Sequence, residues 1–200
     1  MPEIPAEIPV SALILAGGSS SRMGQDKARL KIGDTSLLQQ IISRMADRFE
    51  EIIISVPASA EFRIPGVRTV CDIFPGAGPL GGIHAGLKAT GGAVFVTACD
   101  MPFFDTALAA HVLSRTDAFD AVVPKNGGFT EPLFGVYLQS ALPKMEEYLR
   151  SDNRSVNRFL SLVNTHYVPE SEVRRFADPA RVFFNVNTPR DYLHLLTEYP

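Results

Sequence analysis

Cysteine is scarce: Cys71 and Cys99 are the only two in 200 residues, spaced as neither a Cys-x-x-Cys pair nor a zinc knuckle. A disulfide framework and a structural zinc site are thereby excluded, and a reducing cytoplasm fits. Long apolar runs are missing too. The strongest, around Ala12–Ala16 and Ala93–Cys99, fall far short of the ~20 residues that span a bilayer, so no membrane segment is expected. Positive charge is not in excess: 19 Lys+Arg against 22 Asp+Glu give a formal charge of −3. With pI ≈ 5.8 the chain has no general attraction for phosphate backbones, so nucleic acid is not an expected partner. Residues 1–10 carry Pro2, Pro5, Pro9, Glu3 and Glu7 but no basic or apolar region of a signal peptide, and read as a flexible leader.

What is present is a 46% hydrophobic chain, long enough to bury roughly 70% of its unfolded surface without disulfides or metal. No repeat, low-complexity tract or linker divides residues 11–200, which read as one domain. Strand-like and helix-like stretches alternate, the pattern of an α/β fold with a mainly parallel sheet covered by helices on both faces. Strands are expected at Ser11–Leu15, Ile52–Val56, Val67–Cys71 and Ala93–Cys99. Leu37, Leu38, Ile41, Ile42, Met45 and Phe49 repeat at helical spacing behind a Ser36/Gln39 capping box. Further helices are expected at Gly82–Ala89 and after Asp105. Ala121–Pro124 and Pro132–Leu138 read as strands around the turn Asn126-Gly127-Gly128, a small antiparallel addition. Ser140 and Ser155 are expected to cap two helices, Val182–Asn185 to form a short strand, and Thr188-Pro189 to start a last helix.

Ligands of open α/β sheets bind where strands end and loops begin. Three such places carry candidate chemistry. The first runs from Leu15 to Lys27, Leu-Ala-Gly-Gly-Ser-Ser-Ser-Arg-Met-Gly-Gln-Asp-Lys. Its glycines allow close backbone approach, its amides and hydroxyls can donate to phosphate oxygens, and Arg22 and Lys27 add positive charge, so a polyphosphate is the natural guest. A solvated glycine-rich turn is the alternative for the glycines alone. Two residues separate Gly24 from Lys27, so the loop is not a P-loop, and it contains no Gly-x-Gly-x-x-Gly. The second place, Asp72 to Gly82, offers a helix N-terminus and bare backbone, and Asp72 can accept from a ribose hydroxyl or a base N–H or serve as a local cap. The third is Cys99-Asp100-Met101-Pro102. A lone carboxylate there suits Mg2+, which commonly takes one or two carboxylates and fills its shell with phosphates and water; without the phosphate loop Asp100 would read as a turn residue.

Leu-Ala-Gly-Gly at 15–18, Arg-Met-Gly-x-Asp-Lys at 22–27, Gly-Pro-Leu-Gly-Gly at 78–82, Cys-Asp-Met-Pro at 99–102, Glu-Pro-Leu-Phe at 131–134 and Asn-Val-Asn-Thr-Pro at 185–189 together resemble the molybdenum cofactor guanylyltransferase family. The likeness runs in order from residue 11 to about 197. It implies a three-layer, Rossmann-like nucleotidyltransferase fold that takes GTP and Mg2+, joins GMP to the terminal phosphate of molybdopterin carrying molybdenum, and releases pyrophosphate. By position it implies guanine and ribose against Leu15, Ala16, Gly17, Gly18 and Asp72, phosphates against Arg22 and Lys27, and Mg2+ on Asp100. Ser55 stands where the family commonly has Asn. Glu131, Pro132, Asn185 and Asn187 fall toward the pterin side or the metal. Proteins that deliver molybdopterin, and the molybdoenzymes that accept the product, are the implied protein partners.

Nucleotidyl transfer needs positioning and charge stabilisation, and an ionised phosphate nucleophile needs no strong base. His84, His111, His166 and His194 accordingly lack metal-ligand spacing and read as structural, and Ser19–Ser21 lack the elbow of a serine nucleophile. Rival readings are cytidylyl transfer to the same pterin, nucleotidyl transfer to a sugar phosphate or methylerythritol phosphate, and a non-catalytic GTP sensor or assembly module. Ala16-Gly17-Gly18 favours guanine within the resemblance, and no Asp-x-Asp motif of a glycosyltransferase follows the central strand.

Overall fold

The computed structural model describes residues 9–17, 30–57, 64–151 and 153–198. The apolar, β-branched run after Pro9 forms β1 (Val10–Leu15), one residue earlier than expected, and the Pro9 carbonyl accepts the Ala93 N–H at 3.2 Å. A short antiparallel pair, β2 (Lys31–Ile32) and β3 (Thr35–Ser36), leads into α1 (Leu37–Ala46). The capping box forms as predicted. Ser36 Oγ accepts from the Gln39 N–H at 3.2 Å, and Gln39 Oε1 accepts from the Ser36 N–H at 2.8 Å, an arrangement worth about 1 kcal/mol. It starts the helix in register, so that Leu37, Leu38, Ile41 and Met45 are all buried.

Strands β4 (Ile52–Val56) and β5 (Arg68–Cys71) follow, then α2 (Pro79–Thr90), β6 (Ala93–Ala98) and α3 (Thr106–Leu113). Asp105 caps α3 as expected, accepting from the Leu108 N–H at 2.8 Å. The chain continues through β7 (Ala121–Asn126), β8 (Phe129–Thr130), β9 (Phe134–Tyr137), α4 (Leu142–Arg150), α5 (Val156–Leu160), β10 (Thr165–Val168), α6 (Glu170–Val173), α7 (Pro179–Val182) and α8 (Pro189–Glu198). The strand order is β10-β7-β9-β6-β1-β4-β5, with β8 added to β7. Strands β6, β1, β4 and β5 are parallel neighbours; β9 runs antiparallel between β6 and β7. This is the mainly parallel sheet with an antiparallel addition that the sequence predicts.

Alternate residues of each strand enter two cores. Ala12, Ile14, Ile54, Phe95 and Val122 pack with α1, α3 and Leu195 of α8, whereas Leu13, Leu15, Ile53, Val94 and Val96 pack with α2, α4 and α5. Three expectations are corrected. The strand that closes the turn after Asn126 is β8, Phe129–Thr130, whereas the expected Pro132–Leu138 run supplies β9, which pairs with both β6 and β7. Ser140 does not cap α4: it lies in a 3-10 turn, Gln139–Ala141, and no side chain caps the helix that follows. No strand forms at 182–185. Asp178 instead caps α7, accepting from the Ala180 N–H at 3.0 Å with Pro179 at the first position, and the Val186 N–H beyond it is spent on a loop carbonyl rather than a ladder. Strand β10 is unanticipated because it is a half-exposed edge, Thr165, His166 and Tyr167 lacking the fully buried apolar signature.

Candidate active site

Register aligns the strand ends. Leu15 pairs with Ser55 on one side and Ala98 on the other, and Ser55 pairs in turn with Val70. A cleft of about 500 Å³ opens at this carboxyl edge, lined by Leu15, Gly17, Ser55, Asp72, Gly78 and Gly82 among others. Asp72 sits one residue past β5, its N–H donating to the Val56 carbonyl at 3.2 Å. Ser55 Oγ donates to Asp72 Oδ1 at 3.0 Å. Burial pushes the Asp72 carboxyl above the usual aspartate range, against the opposing pull of the Ser55 hydroxyl and the nearby His84.

The far wall is the first turn of α2. Gly78 adopts φ 61° at its cap, no side chain caps the helix, and Pro79 occupies the first turn, so the amide end is left toward the cleft. Gly82 has a packing reason as well. A Cβ there would lie 2.7 Å from Leu15 Cδ2 and 2.8 Å from Ser55 Oγ, so only glycine lets the helix sit this close to β1 and β4. Behind this wall His84 is buried, its Nε2 3.3 Å from Glu146 Oε1 and its ring edge-on to Phe74 at 5.0 Å. Desolvation holds its pKa below the ordinary imidazole value despite the Glu146 contact.

Asp100 follows β6 at the same edge. Cys99 N–H donates to the Leu15 carbonyl at 3.1 Å, Met101 N–H closes the turn on Ala98 O at 3.1 Å, and the Asp100 carbonyl accepts the Val186 N–H at 2.9 Å. That last bond ties the segment holding Asn185 and Asn187 to the Asp100 loop. Asn185 Nδ2 donates to the Phe183 carbonyl at 2.9 Å, and the Asn187 N–H donates to Asp191 Oδ2 at 2.9 Å, which also fixes the start of α8. Phe134 pairs with Thr97, so the chain just before it, including Glu131 and Pro132, also reaches the carboxyl edge. Glu131 is half-buried, its carboxyl pushed up by desolvation, with Asn126 Nδ2 donating to it at 3.4 Å. The Pro132 carbonyl accepts from the buried Tyr137 hydroxyl at 2.8 Å, which burial holds well above the ordinary phenol value.

One group of predicted residues is thus brought together, and the others stand apart from it along the same edge. Leu15, Gly17, Ser55 and Asp72 line the cleft, and Ala16 is fixed beside them by its N–H on the Ser55 carbonyl at 2.8 Å. Glu131 and Pro132 precede β9, on the other side of β6 from that cleft, and Asn185 and Asn187 flank Val186, whose N–H is bonded to the Asp100 carbonyl. Gly18, Arg22 and Lys27 fall outside the described residues, as do Ser19–Ser21. Pro57 and Gly76, which also line the cleft, were not singled out as site residues, though Gly76 stands in the predicted second loop. Among the described residues no group of three or more His, Cys, Asp or Glu could hold a metal, and no helix is long and apolar enough to cross a membrane. No disulfide joins Cys71 and Cys99.

Residues 12–168 match the MobA-like NTP transferase domain. The chain belongs to that family. A relative named "Probable molybdenum cofactor guanylyltransferase" from Pelotomaculum thermopropionicum is 40% identical over 90% of this chain and 89% of its own length. The molybdenum cofactor guanylyltransferase of Syntrophotalea carbinolica is 35% identical over 91% and 88%. The crystal structure of molybdopterin-guanine dinucleotide biosynthesis protein A from Archaeoglobus fulgidus superposes with a TM-score of 0.82 at 25% identity, covering 94% of this chain and 97% of that one. A 2-C-methyl-D-erythritol 4-phosphate cytidylyltransferase from Thermus thermophilus shares the fold at TM-score 0.67 and 16% identity, covering 93% and 96%. The MobA-like chain described here is a nucleotidyltransferase of the molybdenum cofactor guanylyltransferase family, and its sheet is the one that family uses.

Proposed function

We propose that this transferase moves GMP from GTP to the terminal phosphate of molybdopterin carrying molybdenum, forming the guanine dinucleotide cofactor and releasing pyrophosphate. An oxygen of the acceptor phosphate attacks the α-phosphorus, and the bond from that phosphorus to the oxygen bridging to the β-phosphate breaks. What supports the reading is that Asp100 ends β6 beside the cleft lined by Leu15, Gly17, Ser55 and Asp72, with β9, preceded by Glu131 and Pro132, on the other side of β6, and its carbonyl bonded to Val186 between Asn185 and Asn187.

In this reading Leu15, Ala16, Gly17 and Gly18 cradle the nucleoside, Asp72 accepts from its hydroxyl or N–H donors, and Arg22 and Lys27 hold the phosphates. Ser55 has its hydroxyl on Asp72, so its part is to orient that carboxylate. A lone carboxylate at a phosphate junction is the donor set Mg2+ ordinarily uses, and Asp100 would hold it. Bound there, Mg2+ neutralises charge on the phosphates. Positioning and fixed charge supply the rest, and the ionised nucleophile needs no strong base. The histidines fit that economy. His84 is engaged with Glu146 and Phe74, His111 Nε2 lies 2.8 Å from Glu172, and His194 packs on Phe184.

The names of the curated relatives support guanine over cytosine. The reaction is assigned to the cytoplasm, with molybdopterin-delivering proteins and acceptor molybdoenzymes as partners. The test is pyrophosphate release with molybdopterin, Mg2+ and all four nucleoside triphosphates in competition. GTP should be consumed ahead of the others. Preferential use of CTP overturns the guanine assignment, and GTP binding without release overturns the enzyme reading in favour of a sensor.

A further inference from the structure

The β7–β8 hairpin turns through Gly127 and Gly128, at φ 55° and 82°, and is braced from two directions. Glu170 Oε2 accepts the Gly127 N–H at 2.8 Å while Arg174 Nε donates to its other oxygen at 2.9 Å. On the opposite face Lys125 Nζ lies 4.8 Å above the centre of the Tyr167 ring. On this fixed arm Phe129 is 78% exposed, the most exposed large hydrophobic residue among those described. A lone exposed apolar side chain is ordinary. The neighbours of Phe129 make it otherwise.

Residues opposite one another on antiparallel strands, and residues two apart on one strand, point to the same face. Phe129 pairs with Asn126, and the Glu131 N–H donates to the Pro124 carbonyl at 2.9 Å, which continues the ladder. Asn126, Phe129 and Glu131 therefore share a face, and the Asn126 to Glu131 hydrogen bond agrees. Val122, on that same face of β7, packs in the core that contains Met101, Phe183 and Val186. The face is thus the one that carries the Asp100 loop and the 183–187 segment. Two strand spacings, about 10 Å, separate β7 from β6, the strand that ends at Asp100.

We propose that Phe129 is a stacking platform for a planar heteroaromatic acceptor, whose hydrogen-bonding edge is read by Glu131 and Asn126 and whose phosphate reaches back toward Asp100. The inference rests on the transfer proposed above and specifies how its acceptor is held. An exposed ring offers a face to a second ring at little cost in side-chain entropy. A carboxylate pairs with the adjacent N–H donors of an amino-pyrimidinone edge as it does with a guanidinium. The amide of Asn126 can both donate and accept along the same edge.

The sequence contains no tryptophan, so Phe129→Trp creates a single indole reporter. Its emission should be quenched saturably by a pterin monophosphate. Leu162→Trp, before β10 at the opposite edge of the sheet, should show no saturable quenching. In turnover, Phe129→Ala should raise KM for molybdopterin about tenfold with KM for GTP unchanged, and Phe129→Tyr should restore it. Unsaturable quenching at position 129, or unchanged KM for molybdopterin in Phe129→Ala, overturns the platform even when the wild type turns over. Saturable quenching in a protein that releases no pyrophosphate supports the platform and overturns the transfer instead.

Discussion

The two halves of the carboxyl edge are built differently. In the half proposed to take the nucleotide, glycines shape the wall: a Cβ at Gly82 would collide with Leu15 and Ser55, one at Gly17 would press on Pro57 at 3.1 Å, and Gly78 holds a positive φ, while among the described residues Asp72 and Ser55 are the polar side chains that line it. The half proposed to take the acceptor is made of side chains on braced supports, with Glu131, Asn126 and Phe129 on a pinned hairpin and Asn185 and Asn187 on a segment tied to Asp100. The contrast teaches that the first half is intolerant of added volume, whereas the second can be altered residue by residue with the fold intact.

The sharpest way to break the comparison is at the junction. Asp100→Ala should lower kcat by about 10²–10³-fold with a much smaller change in GTP affinity, measured by steady-state pyrophosphate release and nucleotide titration. Equal losses in both would place Asp100 in the nucleotide half alone. Next in size is Gly82→Val, which forces atoms between Leu15 and Ser55 and should cost about 1–3 kcal/mol in urea unfolding while weakening GTP binding. The comparison substitution, Asn126→Ala, should leave stability within about 1 kcal/mol, because its hydrogen bond to Glu131 is long.

Ser55→Ala removes the hydroxyl that opposes desolvation at Asp72, so the Asp72 pKa should rise further and the acid limb of the pH profile for GTP binding should move to higher pH. Replacement by Thr, which keeps the hydroxyl, should leave that limb in place. The smallest effect is on pH-dependent stability. Asp72 and Glu131 both have raised carboxyl pKa values, so their contribution to stability is present at acid pH and is lost as pH rises from the ordinary carboxylate range through their folded values. Asp72→Asn and Glu131→Gln should each flatten that decline in chemical denaturation series run from pH 4 to pH 7.

Much of the fold was legible because its signals are local. Ser36 and Gln39 announced α1, the β-branched run at Ile52–Val56 announced β4, and the glycine pair after Asn126 announced the turn, although the strand that closes it is the two-residue β8 and not the expected Pro132–Leu138. Strand β10 and helices α6 and α7 were hidden. The first is a half-exposed edge, and the others are four-residue turns held by tertiary contacts. In the site, Leu15, Asp72 and Asp100 announced themselves by ending strands. His84, read from the sequence as structural, is buried behind the cleft wall against Phe74 and Glu146.

By itself the sequence determined the alternation of strands and helices, the identity of the loops that end the strands, and the residue set that marks the family, since turn chemistry and hydrophobic period act over a few neighbours. Only the tertiary structure decided that Ser55 spends its hydroxyl on Asp72, that Val186 ties the C-terminal asparagines to Asp100, and that Phe129 shares a face with Glu131. Each of those depends on strand register or on a contact between residues distant in the chain, and no local propensity encodes either.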